Sequence, residues 1–335
     1  MHMADALVNP AVATSMYLCS AVACGYSMKK IRLEDNPKKL PMMGVMGAFV
    51  FATQMINFTI PGTGSSGHLC GGMLLTALLG PSAGFVTMIG ILLTQALLFA
   101  DGGLLALGCN IWNMSFYGCF IGGCLIWKPL MKHGASKVKI TLASILGCVL
   151  TLQLGAFSVT LETLASRITE IPFSVFVVTM QPIHLAIGLV EGLISASVLI
   201  FIYETRPELL WGTGTNEVPK KNRLTLKSVL LILSGLTIVI GGLLSLFASA
   251  FPDGLEWSLE KVAGTAELSS TGLLHSTFEK IQNFTSILPD YAFSNSETAA
   301  GTSFSGIFGA MVVIALCLIV GRLFRFFQRK KVKDE

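Results

Sequence analysis

Charged residues are scarce in this 335-residue chain: Asp, Glu, Lys and Arg together make up 13% of it, about half the share found in soluble domains. Mean hydropathy is +0.71, and apolar runs long enough to cross a bilayer recur along the sequence. This composition excludes a soluble domain, and the net charge of +4 gives no indication of a nucleic-acid partner. It predicts an all-α polytopic membrane protein in a lipid bilayer.

Catalytic and energy-coupling motifs are also missing. The sequence has no GxxxxGK[ST] phosphate-binding loop, Ser-His-Asp motif or nucleophile elbow. We therefore do not expect an enzyme, and any ATP-driven step requires another subunit. No CxxC pair exists either, so the eight cysteines, which lie in or beside apolar runs, are interpreted as small buried hydrophobic residues. The first basic residue is Lys29, so no secretory signal peptide is expected.

Nine apolar stretches predict nine helices. They cover 6–28, 41–60, 69–81, 84–100, 104–127, 139–161, 173–203, 228–250 and 303–325. The third is too short to cross a ~30 Å hydrocarbon core, so we expect a half-helix or re-entrant piece buried against protein. The predicted architecture is a helical bundle of about seven spans, followed by a C-terminal two-span hairpin that encloses an extracytoplasmic segment.

Composition divides the chain into two modules. Residues 1–204 are predicted to form the bundle, and 205–226, which holds prolines, glycines and a basic cluster, is interpreted as a cytoplasmic linker. Residues 227–335 form the second module, whose segment 251–301 carries seven acidic residues against two basic ones. This segment is either a solvated polar loop or one that gathers cations or docks on the bundle.

The placement of basic residues predicts the orientation. Twenty of the 23 Lys and Arg residues fall in segments 29–40, 128–139, 204–227 and 322–335, which nine crossings place on one side. The positive-inside rule makes that side cytoplasmic. The N-terminus is therefore expected outside the cell and the C-terminus inside.

A histidine at position 2 offers three nitrogen donors from one place: the Met1 amine, the His2 backbone nitrogen and the His2 imidazole. Met1 is expected to survive processing because His2 is bulky. The loop 61–68 lies on the same predicted face, and its His68 imidazole would complete a planar set of nitrogens. Such a set suits Ni(II) and Cu(II), and Co(II) uses the same donors. The alternative is an incidental histidine in a disordered start.

Polar side chains within the apolar runs are expected to face the protein interior or a cavity. Five amides near the outer ends of their spans are candidates to hydrogen-bond to the metal-binding imidazoles: Gln54, Asn57, Gln95, Asn110 and Asn113. Helix–helix hydrogen bonding is the other interpretation. His184 and Glu191 form either a buried structural pair or a membrane-embedded metal or proton site. His275 in the outer segment is considered as an accessory ligand.

Several separate stretches occur in the order expected for a known family. They are 1–7, 51–58, the Pro-Gly-Thr-Gly-Ser-Ser-Gly-His-Leu run at 61–69, 95–104, 106–110 with Asn113-Met114, and 184–192. Together they resemble the CbiM/NikM family. Further on, Phe251-Pro252-Asp253-Gly254-Leu255-Glu256-Trp257 is similar to the CbiN/NikN-type partner, here fused to the same chain. Many members continue Met-His-Ile-Pro-Asp-Gly, where this chain has Met3-Ala4-Asp5-Ala6.

The resemblance implies the substrate-binding component of an energy-coupling factor (ECF) transporter, an ABC-type system for cobalt or nickel in a prokaryotic cell membrane. It implies that Met1, His2 and His68 hold Co(II) or Ni(II) as transported substrate, without a prosthetic group. The ATPase subunits and a coupling transmembrane subunit would be separate chains. The alternative functions are a membrane-embedded metalloenzyme that uses His184 and Glu191, or a metal sensor without transport.

Overall fold

The computed structural model of the chain describes residues 1–31, 38–213, 224–266, 268–269, 271–293 and 300–334, with side chains up to residue 322 in the last range. Part of the predicted linker, 214–223, lies outside the described residues. So do several basic residues on which the predicted orientation rests, namely Arg32, Lys220, Lys221 and Arg223, and the side chains of the basic tail.

Helices make up nearly all of the regular structure. In the first module they are α1 (Pro10–Lys30), α2 (Lys39–Gln54), α3 (Gly72–Leu79), α4 (Pro81–Leu98), α5, α6 (Lys137–Ser166) and α7 (Phe173–Thr205). Helix α5 runs without a break through Leu107–Asn110, a π-helical stretch Ile111–Trp127, and Lys128–Met131. The second module contributes α8 (Leu226–Gly242), α9 (Gly254–Ala263), α10 (Leu273–Thr285) and α11 (Ala300–Asp334).

Non-helical elements are few and short. A two-stranded antiparallel hairpin, β1 (Phe58–Ile60) and β2 (Ser65–Gly67), joins α2 to α3. Short 3₁₀ turns occupy Asp5–Leu7, Pro207–Leu209, Leu244–Phe247 and Pro289–Tyr291.

Every predicted apolar stretch contains a helix. Six described helices are long and apolar enough to cross a bilayer: Pro10–Lys30, Pro81–Leu98, Lys137–Ser166, Phe173–Thr205, Leu226–Phe247 and Ala300–Arg322. The all-α polytopic fold is thus confirmed, whereas the count of nine crossings stays a prediction. The third stretch forms the eight-residue α3, about 12 Å long, which is a half-helix as expected.

Local sequence explains where helices begin. The Asn9 side chain accepts a hydrogen bond of 2.8 Å from the Val12 backbone N–H, and Pro10 occupies the first helical position of α1. Thr225 caps α8 in the same way, with its hydroxyl accepting from the Ser228 N–H at 3.0 Å. These caps satisfy backbone donors that lipid would leave without partners.

Helices α6 and α7 pack closely because glycines remove side chains from their contact. A Cβ on Gly188 would lie 2.8 Å from the Val149 Cα, and one on Gly192 would lie 2.6 Å from the Ile145 Cα. Such distances are shorter than a van der Waals contact, so no larger residue fits without separating the helices. Small residues four apart are the usual means of close helix packing in membranes.

The cysteines only partly follow their predicted burial. All eight are free thiols, and five are buried: Cys70, Cys109, Cys119, Cys148 and Cys317. The prediction is wrong for Cys19 and Cys124, which are exposed, because their side chains lie on the outward faces of α1 and α5. Large apolar residues share such faces, for example Leu18 and Leu125. These faces suit lipid contact, where a small thiol is tolerated.

The second module covers the end of the bundle that carries the N-terminus. Its chain leaves α8, crosses that end and returns into α11, and it hydrogen-bonds to the loops of the first module on the way. The Ser66 backbone N–H donates to the Pro252 carbonyl at 2.8 Å, and the Leu288 N–H donates to the Leu98 carbonyl at 3.1 Å. Of the two interpretations of segment 251–301, its described part therefore fits docking on the bundle.

Candidate metal centre

The first residues of the chain lie inside the bundle. Met1 and Met3 are buried, and the Asn110 side chain makes two hydrogen bonds to the Met3 backbone. Its Oδ1 accepts from the Met3 N–H at 2.7 Å, and its Nδ2 donates to the Met3 carbonyl at 3.1 Å. A Cβ on Gly103 would fall on the Asp5 carboxylate, so only glycine lets the chain enter here. The start of the chain is thereby held in a defined position.

The hairpin β1–β2 delivers His68 to the same place. Gly62 and Gly64 adopt positive φ values in its turn, a backbone conformation that glycine adopts without strain. The His68 Nδ1 contacts the Leu69 carbonyl at 3.0 Å, which fixes the ring and leaves Nε2 3.3 Å from the Met1 nitrogen. Burial, reinforced by the nearby N-terminal charge, lowers the pKa of His68 to about 3. The imidazole is therefore neutral, as a metal ligand must be.

The His2 ring stands beside His68. Their ring centres are 5.2 Å apart. The His2 Nδ1 contacts the Asp101 carboxylate, and the Tyr291 hydroxyl donates to the other oxygen of that carboxylate. Burial would raise the pKa of Asp101, but His2 and Tyr291 outweigh it and lower that pKa to about 2. The His2 Nε2 is buried and has no hydrogen-bond partner in the described part of the chain.

A carboxylate from the second module completes the cluster. The Asp253 Oδ2 lies 2.6 Å from the Met1 amine and 3.9 Å from the His68 Nε2. Its other oxygen, Oδ1, accepts from the Leu255 and Glu256 N–H groups at 2.8 and 2.9 Å and so caps α9. Burial acts to raise the pKa of Asp253, yet the N-terminal charge and His68 hold it well below its usual value. An anionic oxygen thus faces the nitrogen donors.

A cavity of about 620 Å³ opens beside this cluster, between the first module and the docked segment. Its described lining includes no lysine or arginine. The carboxylates around it are Asp5, Asp101, Asp253, Glu256, Glu279 and Asp290. A cleft lined by one sign of charge concentrates ions of the opposite sign, so this cavity favours cations.

Four of the five amide candidates have partners other than the imidazoles. Gln54 donates to the Cys70 carbonyl at 2.7 Å and accepts from Gln95 at 2.9 Å. Asn110 bonds to Met3, as described above, and Asn113 donates to the Glu162 carboxylate at 2.7 Å. The fifth, Asn57, lines the cavity. In the described residues the groups that contact the two imidazole Nδ1 atoms are Asp101 and the Leu69 carbonyl, so the role of the amides toward the imidazoles stays a prediction.

His184 and Glu191 do not pair with each other. The Glu191 carboxylate accepts from the backbone N–H groups of Cys70 and Gly71, both at 2.8 Å, in the turn that leads into α3. The positive end of the α3 dipole stabilises a carboxylate at this place. His184 Nδ1 contacts the Met180 carbonyl at 2.8 Å. The structural-pair interpretation is therefore wrong, because Glu191 serves a neighbouring backbone.

His275 does not act as an accessory ligand in this arrangement. Its Nε2 contacts the Val8 carbonyl at 3.0 Å, and the ring is buried. This contact ties α10 to the chain just after the N-terminal turn. His275 therefore helps to hold the docked segment over the cluster.

Side chains alone do not make a metal site here. Among the described residues no group of three His, Cys, Asp or Glu side chains stands close enough to hold a metal ion. A metal site at this place would also need backbone donors, for which the Met1 amine and the His2 nitrogen are the candidates. Asp101 and Asp253 were missed as site residues by sequence reasoning, although both lie inside stretches that carry the family resemblance, which was their available signal.

Comparison with known proteins agrees with this arrangement of modules. Residues 2–209 match the family profile CbiM, described as the cobalt uptake substrate-specific transmembrane region. The chain belongs to the CbiM family. Residues 227–326 match a second profile, the PDGLE domain, so the chain is a fused CbiM/NikM–CbiN/NikN component. It is a member of a metal-transport family and not an enzyme.

Curated relatives share the fusion. The chain is 30% identical to a protein of Archaeoglobus fulgidus described as a fused nickel transport protein, NikMN, over 97% of this chain and 99% of that protein. It is 28% identical to the fused nickel transport protein LarMN of Lactiplantibacillus plantarum, over 96% and 97% of the two chains. A metal transport protein of Haloquadratum walsbyi is 33% identical over 63% of this chain and 94% of its own.

Solved structures support the fold of the first module. The crystal structure of a truncated transition metal transporter covers 61% of this chain and 99% of its own, with 28% identity and a TM-score of 0.53. A second transition metal transporter gives 27% identity and a TM-score of 0.52, with 61% of this chain and 93% of that chain covered.

Proposed function

We propose that the chain captures Co(II) or Ni(II) from outside the cell, as the substrate-specific component of an ECF-type transporter. The ligands are the Met1 amine, the His2 backbone nitrogen, the His2 imidazole and the His68 imidazole. The observation that carries this proposal is the 3.3 Å approach of the Met1 nitrogen to the His68 Nε2, with the His2 ring beside them. These nitrogens form a donor set suited to both metals.

Binding requires one small rearrangement. To chelate together with its own backbone nitrogen, His2 must present Nδ1 to the metal, but Nδ1 now contacts Asp101. A half-turn of the ring about its Cβ–Cγ bond exchanges the positions of its two edges, one of which carries Nδ1. After this rotation Nδ1 faces the ion. The Nε2 atom, which has no hydrogen-bond partner among the described residues before the rotation, then donates to Asp101. A carboxylate that accepts from the far nitrogen of a ligating histidine fixes its orientation and strengthens the ligand.

The cavity supports capture from the side of the N-terminus. Its carboxylate lining attracts divalent cations before they reach the nitrogens. The basic residues predicted in the loops at the opposite side support the proposal that the side of the N-terminus faces the outside of the cell. We propose the same division as above, with a bundle at 1–204, a linker at 205–226 and a second module at 227–335 in a prokaryotic cell membrane.

Energy for uptake comes from other chains in this proposal. The sequence contains no phosphate-binding loop, so cytoplasmic ATPase subunits and a coupling transmembrane subunit must supply it. Reconstitution tests this. Vesicles that hold the chain with such partners should accumulate cobalt or nickel only when ATP is supplied, and ATP-independent accumulation by the chain alone would contradict the assignment.

The N-terminal site is tested by metal content. The chain with a C-terminal tag should carry about one cobalt or nickel ion after exposure to either metal, and mass spectrometry should show a free Met1. Two extra residues before Met1 remove the free amine and displace His2, so that version should lose the metal. A matched control carries the same two residues at the C-terminus and should keep it. Equal metal in all three versions would refute the site.

A further inference from the structure

The second module places a carboxylate at one ligand position of the proposed centre. Asp253 belongs to the turn before α9, yet its Oδ2 lies 2.6 Å from the Met1 amine. The turn is held against the first module by the bond from Ser66 N–H to the Pro252 carbonyl. The Ser66 hydroxyl also donates to the Phe251 carbonyl at 2.7 Å. The carboxylate is therefore placed at the centre by several contacts.

Capping sets the direction of this carboxylate. Oδ1 is engaged by the N–H groups of Leu255 and Glu256, and the Glu256 side chain accepts from the Asp253 N–H at 2.9 Å in return. Oδ2 takes no part in the cap and points at the nitrogens. One oxygen anchors the side chain, so the other is presented without the entropy cost of fixing a free side chain.

The distances leave room for an ion. Met1 N, His68 Nε2 and Asp253 Oδ2 form a triangle with sides of 2.6, 3.3 and 3.9 Å. The circle through the three atoms has a radius of about 2.0 Å, which matches the usual distance of about 2.0–2.2 Å from such a metal to nitrogen or oxygen. Seen from its centre, His68 and Asp253 lie about 160° apart, and Met1 lies about 80° from Asp253 and about 115° from His68. Three corners of a distorted square arrangement are therefore in place.

We propose that Asp253 Oδ2 is itself a metal ligand, opposite His68. The proposal rests on the function proposed above. In the planar nitrogen set the His2 backbone nitrogen also lies opposite His68, because it is chelated between the Met1 amine and the His2 imidazole. Asp253 and that nitrogen are thus alternative ligands for one corner. An arriving ion first displaces a proton from the Met1 ammonium, which passes to water in the adjoining cavity, and binds the resulting amine, His68 and Asp253.

The nitrogen then replaces the oxygen. The metal–Asp253 bond breaks, the metal–His2 nitrogen bond forms, and the amide proton passes to water in the adjoining cavity. Each ligand carries one negative charge, so the set of ligands bound to the metal keeps the same charge through the exchange. The second module in this way supplies a landing ligand that needs no amide ionisation.

Asp253→Asn isolates this role. Asparagine keeps a good helix cap but replaces the anionic oxygen with a neutral amide. We expect Co(II) association with the full chain, followed by stopped-flow absorption, to slow at least about tenfold, with altered Co(II) absorption bands in the first phase. Glu260→Gln is the matched control, since it removes one exposed charge from the same helix, and it should change the association rate less than about twofold.

The opposite sign would overturn the proposal. If Asp253 only pairs with the Met1 ammonium and competes with the metal, Asp253→Asn will bind Co(II) faster. An unchanged association rate with unchanged absorption bands in the first phase would refute it too. Asp253→Ser is a second variant. Serine also caps α9, but its side chain is too short to reach the metal, so the same result in both variants excludes an effect peculiar to asparagine. The version extended before Met1 tests the nitrogen centre separately from the role of Asp253. If this version still binds Co(II), the nitrogen centre is refuted, whatever the result for the Asp253 variants.

Discussion

The two modules hold their contributions to the centre in different ways. The first module fixes each nitrogen donor from more than one direction: Asn110 grips the backbone beside His2, and the Leu69 carbonyl orients His68. The second module reaches the centre through one capped turn, which is held by Ser66 and by the bond from the Trp257 Nε1 to the Thr63 carbonyl. We call this turn the cover. In the proposed function the bundle supplies the nitrogen donors for permanent binding, and the carboxylate on the cover assists arrival.

Loss of a nitrogen donor should have the largest effect. His68→Gln removes one of the two imidazoles of the proposed nitrogen set, so we expect Co(II) and Ni(II) affinity to fall more than about a hundredfold. Isothermal titration of the purified chain measures this. His133→Asn is the control, because His133 is exposed in the loop between α5 and α6. Equal losses in the two variants would show that the comparison between modules is wrong.

Acid should weaken binding next most strongly. The pKa of His68 is lowered to about 3 by burial, so this ring stays neutral above about pH 4 and does not cause the effect. Protons compete for the amine and the ionised His2 amide, so affinity rises with pH. We expect a fall of about tenfold or more per pH unit from pH 8 to pH 5. A flat titration over that range would exclude a deprotonated backbone ligand.

Asp101→Asn should have an intermediate effect. It removes the charged partner of the His2 ring without removing a donor, so we expect a loss of affinity of about ten- to a hundredfold. Glu279→Gln is a suitable control, since Glu279 lines the same cavity and is exposed. If the two variants behave alike, the contribution of Asp101 is general electrostatic attraction and not orientation of the ring.

The smallest effect should come from the contact that holds the cover. Ser66→Ala removes the hydroxyl bond to the Phe251 carbonyl but keeps the backbone bond to Pro252. We expect about 1 kcal/mol of local destabilisation, seen as faster hydrogen exchange in residues 251–257, with little change in equilibrium metal affinity. Ser15→Ala, on an exposed face of α1, should leave that exchange unchanged. A large loss of affinity would show that the cover contributes to the final metal complex and not only to arrival of the ion.

Much of the fold was accessible from the sequence because apolar runs in lipid have few alternatives to helix. The short third run correctly predicted the half-helix α3. The proposed histidine donors could be singled out because position 2 and a glycine-rich loop are local signals. Their carboxylate neighbours were not predicted, because Asp253 lies far along the chain from Met1 and no periodicity links them. The partners of Glu191 were missed for the same reason, since Cys70 and Gly71 are equally remote in sequence.

The burial of the Met1 amine also limits how this protein can be built. A segment joined ahead of Met1 would have to pass through a space now filled by the Asp253 carboxylate, Met3 and the Asn110 side chain. At its C-terminal end the bundle sequence continues into the second module, so an added segment is accommodated there. New parts can therefore be added by gene fusion in one direction only, and affinity tags or reporter proteins for this molecule belong on the same end.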